Sequence, residues 1–107
     1  MAPSVTEAVR TFATRVRTTF GERVRDVIVF GSHARGDAKP ESDVDVAIVV
    51  DDLSGAEGRA IAHVAGDILT ELDVLISAFT VSTARMLELA ARERLIAREI
   101  ARDGIHL

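Results

Sequence analysis

The chain has 107 residues, 48% of them apolar and 28% charged, and no cysteine, an ordinary globular composition. That length suits one core and a single domain over 1–107, and the missing thiols exclude disulfides, thiolate chemistry and cysteine-ligated zinc. The net charge of −4 is uneven: residues 1–25 sum to +3, residues 26–73 to −8 and the remainder to +1. The acidic middle argues against a surface for nucleic-acid phosphates, so no direct nucleic-acid partner is expected. The start, MAPSVTEAV, lacks the basic and apolar regions of a signal peptide. No apolar run approaches the roughly 18 residues of a membrane span, so the expected location is cytoplasmic, without a membrane partner.

Ser4-Val-Thr-Glu7 reads as a capping box behind Pro3. Val5, Ala8, Val9, Phe12, Ala13, Val16 and Phe20 follow at helical spacing, and Gly21 marks the stop. Val24 to Phe30 predicts a short strand, broken by Gly31-Ser32 and followed by a polar loop to Ser42 that holds Gly36 and Pro40. Val44 to Val50 is a β-branched run of the kind covered on both faces of a sheet, ended by Asp51-Asp52.

Ser54-Gly-Ala-Glu57 is a second capping box, and Ile61, Val64, Ile68 and Leu72 mark the inner face of the helix behind it. Asp73 to Phe79 predicts a third strand. Ser82 can cap a helix through Met86, Leu87 and Leu89, and Leu95, Ile96 and Ile100 extend or restart it up to Gly104. The order is helix, strand, strand, helix, strand, helix. It predicts an α/β (α+β) domain in which a small mixed sheet of about three to four strands packs with helices. Strand polarity stays open at this stage.

Asp43 and Asp45 stand one residue apart, so a strand points both to one face, with Ala47 and Val49 beyond them. Two ionised carboxylates about 4 Å apart repel by about 1–4 kcal/mol at effective dielectrics between 80 and 20. A hard divalent cation such as Mg²⁺ reverses that sign while leaving coordination sites for water and phosphate oxygens. Asp73, at the start of the third strand, can complete a triad if that strand neighbours the second. Taken singly, Asp-x-Asp decorates a solvated strand end, and Asp73 caps or terminates a helix. Three acids at the starts of two strands, behind a Gly-Ser turn, favour the cation site.

Gly31-Ser32 has a plain reading as a turn with Ser32 capping a short helix through Ala34 and Arg35. The same geometry makes an anion cradle from the Ser32 hydroxyl and the exposed amides after it. A cradle facing a cation site suits a metal–nucleoside triphosphate complex. Arg35 either neutralises a phosphate or pairs with Asp37. His63 and His106 read as surface or packing residues.

Gly31-Ser32, ten residues, then Asp43-Val-Asp45 resembles the signature of the DNA polymerase β nucleotidyltransferase superfamily. The wording FGSHARGDAKPESDVDVAIVV is similar to its minimal nucleotidyltransferase (MNT) branch: Gly-Ser, then Ala34-Arg35-Gly36, then Ser42-Asp43-Val44-Asp45. Leu72-Asp73-Val74-Leu75 resembles the segment that supplies the branch's third acid, and the ending from Ile100 resembles its helix-to-Gly ending. The likeness is dense over about 31–50 and looser beyond. His33 stands where many relatives carry arginine, so no second cationic phosphate contact is implied there.

The resemblance implies a nucleotidyltransferase-like fold and transfer of AMP from ATP to a hydroxyl, with release of pyrophosphate. Asp43, Asp45 and Asp73 are then the metal-binding and catalytic acids, holding two Mg²⁺ ions or Mn²⁺ in their place. Gly31, Ser32 and Arg35 bind the nucleotide. The chain shows no acceptor domain of its own, so a partner is expected to bring the acceptor. Relatives of this kind are commonly paired with HEPN-type RNase toxins, which they inactivate as antitoxins by AMPylation, and that is the expected function and partner. The alternatives are a small-molecule, aminoglycoside-type nucleotidyltransferase working as a homodimer, and a non-catalytic antitoxin that neutralises its partner by binding. The assembly is thus a hetero-oligomer or a homo-oligomer.

Overall fold

In a computed structural model, which describes residues 1–39 and 41–107, the apolar positions sort onto the two faces of one mixed sheet. Pro40, one of the expected loop breakers, lies outside the described residues. The elements run α1 (Pro3–Phe20), a 3₁₀ turn (Gly21–Arg23), β1 (Val24–Phe30), α2 (Gly31–Arg35), β2 (Val44–Val50), α3 (Gly55–Leu72), β3 (Ile76–Ser82), α4 (Thr83–Ala91), α5 (Leu95–Asp103) and β4 (Ile105–His106). The strands lie in the order β3-β2-β1-β4. β1 is antiparallel to β2 and to β4, and β2 is parallel to β3. The α/β class and the four-stranded mixed sheet agree with the sequence.

Alternation along β2 sets up two cores. Val44, Val46, Ile48 and Val50 join Val27, Val29 and Ile76 beneath α1 and α3, with Phe12, Val9, Ile61 and Ile68 fully buried among them. Ala47 and Val49 point the other way, to Ile28, Phe30, Val81, Leu89 of α4, and Ala97 and Ile100 of α5. A strand covered on both faces has to be nearly continuous in apolar residues, as this one is. Among the described residues no helix is long and apolar enough to cross a membrane.

Helix signals are honoured unevenly. The Ser54–Glu57 capping box forms in full: Ser54 Oγ accepts from the Glu57 amide at 3.1 Å and Glu57 Oε1 from the Ser54 amide at 3.0 Å. Ser82 caps α4 through the Arg85 amide at 3.0 Å. The expected Ser4 box does not form. Pro3, with φ already set for a helix and no amide to satisfy, takes the first helical position, so Ala2 becomes the N-cap and Ser4 falls inside the first turn. Likewise α2 starts at Gly31 with Phe30 as its N-cap, so Ser32 is not a cap.

The third strand lies three residues later than expected. α3 continues through Leu72, and Asp73 ends it in the left-handed conformation (φ 55°, ψ 37°). An acid tolerates that conformation better than a branched residue does. Val74 and Leu75 then return the chain to the sheet, where the Leu75 carbonyl accepts from the Val44 amide at 2.9 Å. The short β4 was not expected. It is held by the Leu107 amide on the Val27 carbonyl (2.8 Å), by Arg17 on the Leu107 carbonyl (2.7 Å), and by His106 against Asp26 (2.8 Å).

Candidate active site

β1 delivers the chain into a bend that only glycine makes without strain. Gly31 has φ +73°, is buried, and lies so close to Asp45 that a Cβ there would overlap the Asp45 carboxylate. The turn α2 follows and closes at Gly36 (φ +83°), with the Gly36 and Asp37 amides both donating to the Ser32 carbonyl at 3.0 and 3.1 Å. His33 is the buried polar residue of the region, 8% exposed, with Nε2 2.9 Å from the Ser42 carbonyl oxygen. The turn after β1 is thereby tied to the residue just before Asp43.

Asp43 precedes β2 and is exposed, whereas Asp45 lies inside β2 and is half-buried. Asp45 pairs with Phe30 on one side and with Ser77 on the other. Burial pushes its carboxyl above the ordinary aspartate value, the charges of Asp43 and Glu99 push the same way, and His33 and Arg35 oppose them. Arg35 does not cap either carboxylate. Its Nε donates to Asp37 at 3.3 Å and its Nη1 lies 3.7 Å from Asp103 on α5. The expected pair of Arg35 with Asp37 is thus present, with Asp103 as a second acid beside it.

Among the described residues no hydrogen bond or ion pair closes Asp43 or Asp45. Two carboxylates, one half-buried and neither in a direct ion pair among the described residues, fit a hard divalent cation such as Mg²⁺.

The structure does not assemble the expected triad of Asp43, Asp45 and Asp73. Among the described residues no group of three His, Cys, Asp or Glu side chains is placed to hold one metal ion. Asp73 ends α3 and lines a cavity of about 460 Å³ with Ser4, Val5, Val44 and Leu69, on the side of the sheet covered by α1 and α3. Asp45 follows the parity of Ala47 and Val49, which face α4 and α5. The physical cause is the late start of β3: Asp73 lies three residues before the strand, outside the register that aligns side chains. Glu99, Asp103 and Ser77 were not anticipated. Glu99 and Asp103 share one stripe of α5 at helical spacing, and Ser77 is revealed only by the pairing of β3 with β2.

A family model, the nucleotidyltransferase domain, matches residues 9–99. The chain belongs to this nucleotidyltransferase family. It is 36% identical over 74 residues to a protein of Methanocaldococcus jannaschii named "Putative protein adenylyltransferase MJ0141", covering 68% of this chain and 75% of that protein. A second protein of that organism, similarly named and numbered MJ0604, is 40% identical over 45 residues, which cover 42% of this chain and 45% of the relative. Among solved structures, a toxin–antitoxin crystal structure with AMP-PNP superposes with a TM-score of 0.59 at 16% identity, covering 90% of this chain and 69% of that one. A mutant of the toxin–antitoxin MntA-HpeT gives 0.61 at 13% identity with the same coverage. At these identities the two structures show a shared fold.

Proposed function

We propose that this chain transfers AMP from ATP to a hydroxyl group on a partner protein, and that the partner is a HEPN-type RNase toxin silenced by the modification. The observation that carries the reading is the pair Asp43 and Asp45, which among the described residues no hydrogen bond or ion pair closes, against the side-chain-free bend at Gly31. Membership of the nucleotidyltransferase family supports the reaction class. The names of the curated relatives support a protein as acceptor, and the toxin–antitoxin structures of like fold support the kind of partner.

The chemistry is displacement at the α-phosphorus. The acceptor oxygen forms the new phosphoester bond, the bond to the bridging oxygen of the β-phosphate breaks, and pyrophosphate leaves. Mg²⁺, when bound, supplies positive charge that neutralises the triphosphate and favours ionisation of the acceptor hydroxyl. Asp43 and Asp45 would hold it. The Ser32 hydroxyl and the amides of α2 would position the phosphates, with Gly31 leaving room for their approach. As the new bond forms the acceptor hydroxyl releases its proton to solvent.

The test is to incubate the chain with labelled ATP, Mg²⁺ and the product of the neighbouring gene. The expected result is label on the partner and loss of its RNase activity, both abolished by Asp43→Ala with Asp45→Ala. A partner that stays unlabelled, or label that survives the double substitution, overturns the reading.

A further inference from the structure

The candidate site has a place for a third oxygen ligand, and the residue in that place is not an acid. The parallel pairing of β2 with β3 runs without a shift from Val44 opposite Ile76 to Val50 opposite Ser82, which sets Ser77 directly beside Asp45. Phe79 and Val81, two and four residues on, pack in the same core as Ala47 and Val49. Ser77 therefore shares the sheet face of Asp45, because side chains on paired strands keep a common parity. Ser77 is also exposed. Asp73, by contrast, lines its cavity with Val44, whose side chain belongs to the opposite core.

Resting on the function proposed above, we propose that Ser77 completes the Asp43–Asp45 centre from the neighbouring strand, supplying a neutral hydroxyl where a third carboxylate would otherwise stand. Two carboxylates and a hydroxyl attract a divalent ion less than three carboxylates do, since the hydroxyl brings an oxygen and no charge. The free protein then holds a divalent ion weakly, and the triphosphate supplies the missing negative oxygens. Metal and nucleotide enter as one unit, each raising the affinity for the other by the same factor. In the empty site, the lower charge also limits the repulsion that Asp45 has to bear.

The test measures Mn²⁺ binding to the full chain by the loss of the free-ion paramagnetic resonance signal, with and without a non-hydrolysable ATP analogue. Wild type is expected to bind Mn²⁺ weakly alone and far more tightly with the analogue. Ser77→Asp should tighten binding without nucleotide by about tenfold or more, while Asp73→Asn leaves both affinities unchanged. If Ser77→Asp unfolds the ion-free chain through added repulsion, Mn²⁺ should restore its far-ultraviolet circular dichroism. No gain in affinity and no restoration would overturn the inference, and so would a several-fold loss in Asp73→Asn. Failure of the function itself gives a different pattern: the analogue and Mn²⁺ do not promote each other's binding to wild type, while Ser77→Asp still binds Mn²⁺.

Discussion

His33 Nε2 lies 2.9 Å from the carbonyl oxygen of Ser42, and that bond spans the gap between the Gly31 turn and the acid-bearing strand. A carbonyl only accepts, so Nε2 must carry a hydrogen, which it does both in the matching neutral tautomer and in the charged ring. His33 therefore acts as a positioning residue. His33→Ala should lower both stability, by about 1–3 kcal/mol for a lost buried partner, and the transfer rate. His33→Gln, whose amide can donate across a similar reach, should recover much of the rate. No recovery of rate in His33→Gln would mean that the hydrogen bond to Ser42 does not set the site's geometry.

Gly31 leaves no room for a side chain. Alanine there meets two obstacles at once: φ of +73°, which L side chains rarely adopt, and a Cβ that would overlap the Asp45 carboxylate. Backbone strain of this kind costs about 1–3 kcal/mol before the overlap is counted. Gly31→Ala should lower Tm and displace Asp45, so binding of the ATP analogue should fail even at temperatures where the variant is folded. Gly36→Ala, at φ +83° but in open space, should cost stability and leave analogue binding largely intact. Calorimetry on the two variants separates strain alone from strain placed against a catalytic acid.

Much of this was legible in the chain, and the reasons are local. The Ser54–Glu57 box acts through neighbours within three residues and the Gly31 bend through its own positive φ, so both patterns carried over into structure. The nearly continuous apolar run from Val44 to Val50 likewise announced a strand buried on both faces. Ser4 misled because Pro3 competes for the same helix start, and both signals fit the sequence equally well. Asp73 misled for a different reason. A helix end in the left-handed conformation looks, in sequence, like the polar residue that opens a strand, and three residues of offset moved the acid out of the register of Asp45. Ser77 and Glu99 were invisible because their nearness to Asp45 depends on strand pairing and helix packing across the chain.

Glu57 should make α3 and its anchor acid-sensitive. Its hydrogen bonds from Arg23, at 2.5 and 2.9 Å, and from the Ser54 amide hold its carboxyl down from 4.5 to about 2. A carboxyl depressed in the folded chain contributes stability above its unfolded value and loses it as pH falls through the folded one. The window is therefore from about 4.5 down to about 2. Glu57→Gln keeps an acceptor for Ser54 but removes the charge beside Arg23. The variant should be less stable than wild type at neutral pH, and the gap should close as the acid limb is descended. Thermal melts across that range check this, and a gap independent of pH would mean the guanidinium contact contributes nothing through charge.

Asp45 is expected to show the opposite sign, because its carboxyl is raised by burial first and then by the charges of Asp43 and Glu99. Ionising it costs the folded chain more than the unfolded one. That penalty is absent below the ordinary aspartate value and is fully present above the raised one, so this group's contribution falls as pH climbs through the interval. Asp45→Asn removes the charge and nearly preserves the shape. It should raise Tm at neutral pH, give no gain at acid pH, and abolish transfer. Adding Mg²⁺ with the ATP analogue should reverse the order, since ligand binding stabilises only the chain that can bind. If Asp45→Asn proves less stable at neutral pH without ligand, the carboxylate has a compensating partner and the electrostatic account of the site fails.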